Sequence, residues 1–174
     1  AIGSGCEIGP NAMVRDCIVG KDTTINASQV NESTIGSHTT VGPFTYVRPN
    51  CRIGDHCRVG DFVEVKNSVI GDGTKISHLT YVGDSDVGQR VNFGCGTVTT
   101  NYDGHKKHRC TIGDDVFLGC NTNLIAPVTV EDRAYTAAGS TVTDDVPEGA
   151  LAIARQRQTN IRGWADRLRK TWKK

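Results

Sequence analysis

Residues 112–142 read IGDDVFLGCNTNLIAPVTVEDRAYTAAGSTV. An aliphatic or β-branched residue stands at every sixth position, Ile112, Leu118, Leu124, Val130, Thr136 and Val142, and glycine follows the first two. Four residues after each of the first five comes something small or β-branched: Val116, Thr122, Val128, Ala134 and Ser140. β-branched side chains suit a pleated backbone, and glycine at a fixed place marks a tight corner. A period of six matches neither the 3.6-residue turn of an α-helix nor an alternation sustained along a long strand. It predicts a chain that turns a corner every six residues. Three short sides then close a triangular coil of about 18 residues, and successive coils pair in parallel roughly 4.8 Å apart.

Outward from this stretch the same signals recur at Ile2-Gly3, Ile8-Gly9, Val41-Gly42, Ile53-Gly54 and Val59-Gly60, with Cys6, Ala12, Thr39, Thr45, Cys51, Cys57, Val63 and Thr97 at the small inward position. About eight coils fit in residues 1–146, a prism on the order of 40 Å long. The register slips by one residue at Val14–Val19, Val65–Ile70 and Val82–Val87, which reads as bulges at corners. A longer break, the inserted loop 99–111, contains Asn101-Tyr102-Asp103-Gly104-His105-Lys106-Lys107, and loops on rigid scaffolds are where function concentrates. After Pro147-Glu148-Gly149 the repeat stops. In the tail, residues 147–174, Ile161, Trp164, Leu168 and Trp172 recur at helical spacing, predicting an amphipathic helix of about three turns, capped by Thr159 or Asn160, whose apolar stripe packs on the prism or a neighbouring subunit.

Composition agrees with such a lattice. Aromatic residues are 6% and glycines number 20, so the core must be filled by small and β-branched side chains rather than large aromatic anchors. No apolar run approaches the roughly 18 residues of a membrane span and no charged-then-apolar leader opens the chain, so a cytoplasmic protein without stable membrane insertion is expected. Seven cysteines, an odd number with no CxxC pair, read as reduced thiols. Net charge is +1, yet Arg155, Arg157, Arg162, Arg167, Arg169, Lys170, Lys173 and Lys174 crowd the tail against Asp166 alone, leaving the remainder net acidic. Those cations are able to draw in an anionic cofactor.

Several segments depart from pure repeat chemistry: Arg48-Pro49, Gly60-Asp61-Phe62-Val63-Glu64-Val65-Lys66, Ser77-His78-Leu79-Thr80-Tyr81-Val82-Gly83-Asp84, Asn101-Tyr102-Asp103-Gly104 and Ala150-Leu151-Ala152-Ile153-Ala154-Arg155. Together and in this order they resemble the glucosamine-1-phosphate N-acetyltransferases, the C-terminal half of bacterial bifunctional uridyltransferases. The resemblance implies an all-β fold, a left-handed parallel β-helix of hexapeptide repeats with a short C-terminal helix, and acetyl transfer from acetyl-CoA to the amine of glucosamine-1-phosphate for UDP-N-acetylglucosamine and cell-wall synthesis. It further implies that His78 is the general base, that Arg48, Lys66 and Lys107 bind the phosphosugar with Tyr81 and Asn92 hydrogen-bonding the sugar, and that Cys95, Asn101, Tyr102, Cys120, Ala138 and Arg155 hold acetyl-CoA. Cys95 and Ala138 would act through main-chain groups, and a backbone amide near Cys95 is the expected oxyanion donor. The partners implied are the two small molecules and two further copies of the chain in a homotrimer, with no nucleic acid. The uridyltransferase half and its magnesium would lie outside this chain, which then reads as a fragment.

The residue types suit that chemistry. An amine acceptor on a phosphosugar needs a base for the amine proton, cations for the phosphate and donors for the thioester oxyanion. Arginine offers phosphate a two-pronged donor and lysine a point charge. Glu64 reads equally as an orienting group for the amine or as an ion-pair partner. Two other readings stand beside this one. His38 and His56, one full repeat of three sides apart, would sit on adjacent coils as in a zinc carbonic anhydrase of the same repeat class, and a purely structural trimerisation arm would need none of these side chains. Another hexapeptide acyltransferase is the nearest alternative.

Overall fold

The structure, a computed structural model, describes residues 1–172 and is a parallel β-helix followed by one short helix. Lys173 and Lys174, counted above among the tail cations, lie outside the described residues. Each coil contributes one strand to each of three faces. On the first face the inward residues stack as Ile8, Ile25, Val41, Val59, Ile76, Phe93, Leu118, Thr136 and Ala152. The second face stacks Val14, Val30, Val47, Val65 and Val82, then Leu124 and Val142 beyond Thr99. On the third, Val19, Ile35, Ile53, Ile70, Val87, Ile112 and Val130 form the column, closed by Val146. These columns are the core, and Ile25, Val41, Val59, Ile76, Leu118 and Leu124 have no exposed surface.

The small inward residues do more than fit. Thr39 Oγ1 donates to the carbonyl of Gly54 at 2.9 Å and accepts from the Cys57 amide at 3.0 Å, joining two rungs at a corner where backbone groups would otherwise be orphaned. Cys57 repeats the donation one coil on, its thiol reaching the Gly71 carbonyl at 3.2 Å.

The one-residue slips are not bulges. They are corners one residue short, pivoting on Asp16 (φ 54°), Asn67 (φ 46°) and Asp84 (φ 49°), residue types that tolerate the left-handed conformation through their short polar side chains. The long break is narrower than the sequence suggests. Strands Val98–Thr100 and Cys110–Ile112 bracket it, leaving residues 101–109 as the excursion, with an antiparallel bridge between Tyr102 and Lys107.

At the C-terminal end one further rung, Leu151–Ala152, pairs with Tyr135–Thr136, past residue 146 where the repeat pattern fades. The helix spans Trp164–Trp172 and follows Gly163 (φ 69°) instead of Thr159 or Asn160. None of its residues is buried, and Ile161, Trp164 and Trp172 are all more than half exposed, so within one chain the stripe does not pack on the prism. No helix among the described residues is long and apolar enough to cross a membrane.

Because each core side chain is one element of a continuous column, Ile76→Ala leaves a void that the rungs above and below cannot collapse into. A loss of about 2–5 kcal/mol is expected in chemical denaturation. A loss under about 1 kcal/mol would contradict a close-packed column.

Candidate functional site

The corner between the first and second faces aligns residues that lie far apart in sequence. Ile76 pairs with Phe93 and Tyr81 with Val98, the same offset on either side of the corner, so His78 stands beside Cys95. Phe93 pairs with Leu118 and Val98 with Asn123, again with one offset on both sides, which sets Cys95 beside Cys120. Leu118 pairs with Thr136 and Asn123 with Thr141, placing Ala138 next. All four are exposed or half-buried at the surface. The Arg155 side chain runs on beside Gly139, which an added Cβ would bring within 3.7 Å of Arg155 Cδ. Below His78 in the same column is Asp61. Asn92 lies on the first face, three residues before Cys95. The Cys95 N–H takes no part in rung-to-rung bonding, whereas those of Gly94 and Gly96 donate to Leu118 and Leu79.

A second group gathers where the second face meets the third. Arg48, Lys66 and Lys107 line a cleft of about 380 Å³ together with Pro49, Asn50, Asn67 and Asp84. The carboxylates at and beside it are spoken for. Glu64 takes an ion pair from Arg48 at 3.0 Å, which raises the arginine further above its ordinary value. Asp84, almost wholly buried, accepts from Asn67 at 2.5 Å and from Asn101, and lies 3.6 Å from Lys66 Nζ. Burial alone would push Asp84 up, but those amide bonds and the cations Lys66 and Lys107 outweigh it, and its carboxyl sits below the usual range. The Lys107 ammonium, aided by burial, holds Lys66 below the usual lysine value, with Asp84 working the other way. Lys107 makes no ion pair among the described residues. Tyr81 joins this group through its hydroxyl, 3.3 Å from Asn101 Nδ2.

The loop that carries Asn101, Tyr102 and Lys107 is tied down at both ends. Arg109 forms a two-pronged pair with Asp86 at 2.6 and 2.9 Å and reaches the Asn67 carbonyl at 3.1 Å. Inside it, Asp103 accepts from the amides of Lys106 and His105 and meets His108 Nε2 at 2.7 Å. Those three donors, the Lys106 amide foremost, hold the Asp103 carboxyl far below the usual range. Tyr102 is exposed, its hydroxyl on the Gly104 carbonyl at 2.8 Å.

The sequence-derived residues thus fall into two sets: His78, Cys95, Cys120, Ala138 and Arg155 along one corner with Asn92 on the adjoining first face, and Arg48, Lys66, Tyr81, Asn101 and Lys107 along the next with Tyr102 exposed on the loop beside them. Sequence reading missed Asp84, Asn67 and Asp103. The first two are pivots of short corners, so the register slips were the available signal. His38 and His56 do lie on adjacent coils, but their rings stack face to face at 4.9 Å, and among the described residues no three histidine, cysteine or carboxylate side chains converge as a metal would need.

Comparison with known proteins agrees with the repeat. The chain matches the bacterial transferase hexapeptide family (six repeats) over residues 32–67 and 109–144. It is 62% identical over 167 residues to the bifunctional protein GlmU of Oceanobacillus iheyensis, covering 96% of this chain and 37% of that protein. To GlmU of Clostridium acetobutylicum it is 56% identical over 166 residues, 95% of this chain and 36% of the relative. The chain therefore spans little more than a third of the curated relatives it matches. Among solved structures, a variant of perosamine N-acetyltransferase from Caulobacter crescentus, in complex with CoA and GDP-perosamine, superposes with a TM-score of 0.59 at 26% identity, over 67% of this chain and 53% of that one.

Asp84 is the keystone of the cationic cleft, and removing it strands two lysines beside one another. Asp84→Ala should cost about 3–5 kcal/mol near neutral pH, the usual loss when a buried pair is broken. The native state depresses this carboxyl, so its contribution is present above the unfolded value of 3.8 and fades as pH falls below it. Denaturation of both proteins at pH 7 and pH 3 should show the gap narrowing. A gap unchanged at pH 3 would refute this role.

Proposed function

The chain is a hexapeptide-repeat β-helix homologous, over nearly its whole length, to a stretch of the bifunctional GlmU proteins, and from that premise we propose that it transfers acetyl from acetyl-CoA to the amine of glucosamine-1-phosphate. The observation that carries the reading is the cleft in which Lys107 lies unpaired beside Lys66 and Arg48. A phosphate monoester would be met there by a guanidinium fork and two point charges. His78 takes the proton as the amine nitrogen attacks the thioester carbon. The Cys95 amide, without a rung-to-rung bond among the described residues, is the donor proposed to steady the oxyanion, and the CoA thiolate then leaves. CoA would run along the corner from His78 past Cys95, Cys120 and Ala138 to Arg155, with Asn101 and Tyr102 at the loop. Neither exposed cysteine is needed as a nucleophile, since the acceptor amine attacks directly.

The spacing between the two groups has a consequence for assembly. His78 pairs with Asp61, and Lys66 lies further along that same strand, up to roughly 16 Å of chain and around a corner. In glucosamine-1-phosphate the amine and the phosphate sit on adjacent ring carbons. That separation favours a site composed between chains, with the cleft of one subunit facing the His78 corner of the next in a homotrimer of three-fold symmetry. Asn92, remote from the cleft in its own chain, reaches the sugar in the same way.

Four measurements test this. Release of free CoA should depend on glucosamine-1-phosphate; release without that sugar, or none with it, would defeat the assignment. His78→Ala should lower turnover by about 10²–10⁴ while leaving the fold intact, and equal refolding of His78→Ala with Lys66→Ala chains should return about one wild-type site in four. No recovery, with mixing of subunits verified, would place both residues in one chain's site. Arg155→Ala should weaken acetyl-CoA binding about tenfold or more, the worth of a charge-assisted bond, and unchanged affinity by calorimetry would remove Arg155 from the CoA path.

A further inference from the structure

We propose that Cys95 and Cys120 form a paired dithiol, a modification site at which hydrogen peroxide closes a disulfide across the His78 corner; its effect on acetyl transfer rests on the function proposed above, while the bond itself does not. Five of the seven cysteines are turned inward and inert. Cys6, Cys17 and Cys57 donate their thiols to the carbonyls of Gly20, Arg15 and Gly71 at 2.9, 3.1 and 3.2 Å. Burial pushes the thiols of Cys51 and Cys57 up, and that of Cys110 to about 11, which keeps all three from ionising. Cys95 and Cys120 are the two exposed ones, and neither thiol has a hydrogen-bond partner among the described residues.

The lattice sets these two side by side. The rung offset is identical on both sides of the corner, so the pair is in register, and the Asn121 amide bonds the Cys95 carbonyl at 2.8 Å. In-register residues of adjacent parallel strands lie about 4.8 Å apart. A disulfide spans Cα separations of roughly 4.4–6.8 Å. Each cysteine is followed by a left-handed pivot, Gly96 (φ 78°) and Asn121 (φ 55°), so both enter the corner at the same place in the repeat. On the rung before Cys95 stands His78, a neighbouring base for a thiol proton.

The chemistry balances with peroxide as oxidant. One cysteine thiolate attacks a peroxide oxygen, the O–O bond breaks, and a sulfenic acid and one water result once the thiol proton is counted. The second thiol then attacks the sulfenic sulfur, the S–O bond breaks, the S–S bond forms and a second water leaves. Two thiols are oxidised by two electrons, one hydrogen peroxide is reduced to two waters, and a dithiol reductant reverses the bond by exchange. The bridge draws both side chains over the corner where the thioester must lie. Displacing a reacting group by about 1 Å costs on the order of 10²-fold in rate.

The test uses the whole chain, treated with hydrogen peroxide, alkylated and mapped by peptide mass spectrometry. Expected is a Cys95–Cys120 cross-link within one chain and a fall of about 10²-fold in acetyl transfer, reversed by dithiothreitol. Saturating acetyl-CoA, which carries no free thiol, should slow its formation, and Cys120→Ser, measured against its own untreated rate, should resist. Sulfinic or sulfonic acids at both positions without a cross-link, or a cross-link only between chains, overturns the pairing. If the bond forms but untreated protein shows no sugar-dependent CoA release, the dithiol stands and the proposed function falls. If untreated protein is active and no bond forms, the reverse holds.

Discussion

Everything in this molecule hangs on the backbone hydrogen bonds between rungs. Each coil is paired in parallel with the one before it, so a residue type repeated once per coil becomes a column along the prism. Aliphatic residues stacked in this way exclude water along the whole axis, and threonine or cysteine at the corners joins rungs through its polar atom. Aspartates do the same on the outside. Ser37 and Asp55 donate their amides to Asp55 and Asp72, and further along Gln89 and Asp114 donate to Asp114 and Asp132, so a column of carboxylates ties successive rungs at the corner between the third and first faces. That column holds four of the 19 acidic residues that balance the basic tail.

The same constraint governs where chemistry is possible. A prism of flat faces carries its clefts at the surface, at a corner around Arg48, Lys66 and Lys107 and across a face along Ile18, Thr34, Arg52 and Val69. Reactive groups must therefore be displayed along columns, and any enclosed site has to be made by bringing a corner of one prism against another. The loop at residues 101–109 is the one large departure from the lattice, and it is held by Arg109 on Asp86 and by Asp103 within. It thereby presents Lys107 to a cleft built of rung residues. A flexible insertion would present nothing in particular.

The sequence period was sufficient to read the coil, the inward columns and the position of the break, because each is a local consequence of which residues turn corners and which fill the core. The tail helix was legible as a 3.6-residue pattern, but its start was not. A glycine with positive φ sets the entry, and nothing in the pattern distinguished it from the polar residues Thr159 and Asn160. Site residues were legible only through motifs. Nothing in a sequence without coordinates shows that Cys95 and Cys120 are neighbours, since the loop stretches the offset between their rungs well beyond that of the coils to either side. Asp84 illustrates the converse. It appeared as a fault in the repeat, and the fault is what lets its carboxylate turn back toward Lys66 and the two asparagines.

Asp84 also explains how a folded chain can hold two ammonium groups in contact. Like charges so close oppose folding, and partial burial of Lys66 adds a desolvation cost. The carboxylate acts on both lysines, though it forms an ion pair only with Lys66 among the described residues. It is itself fixed by two amide donors and cannot swing out to solvent, so one negative charge faces two positive ones in place. The cleft therefore keeps a net positive charge assembled in place, the condition under which the phosphate binding proposed above would need no side chain to be gathered from solvent.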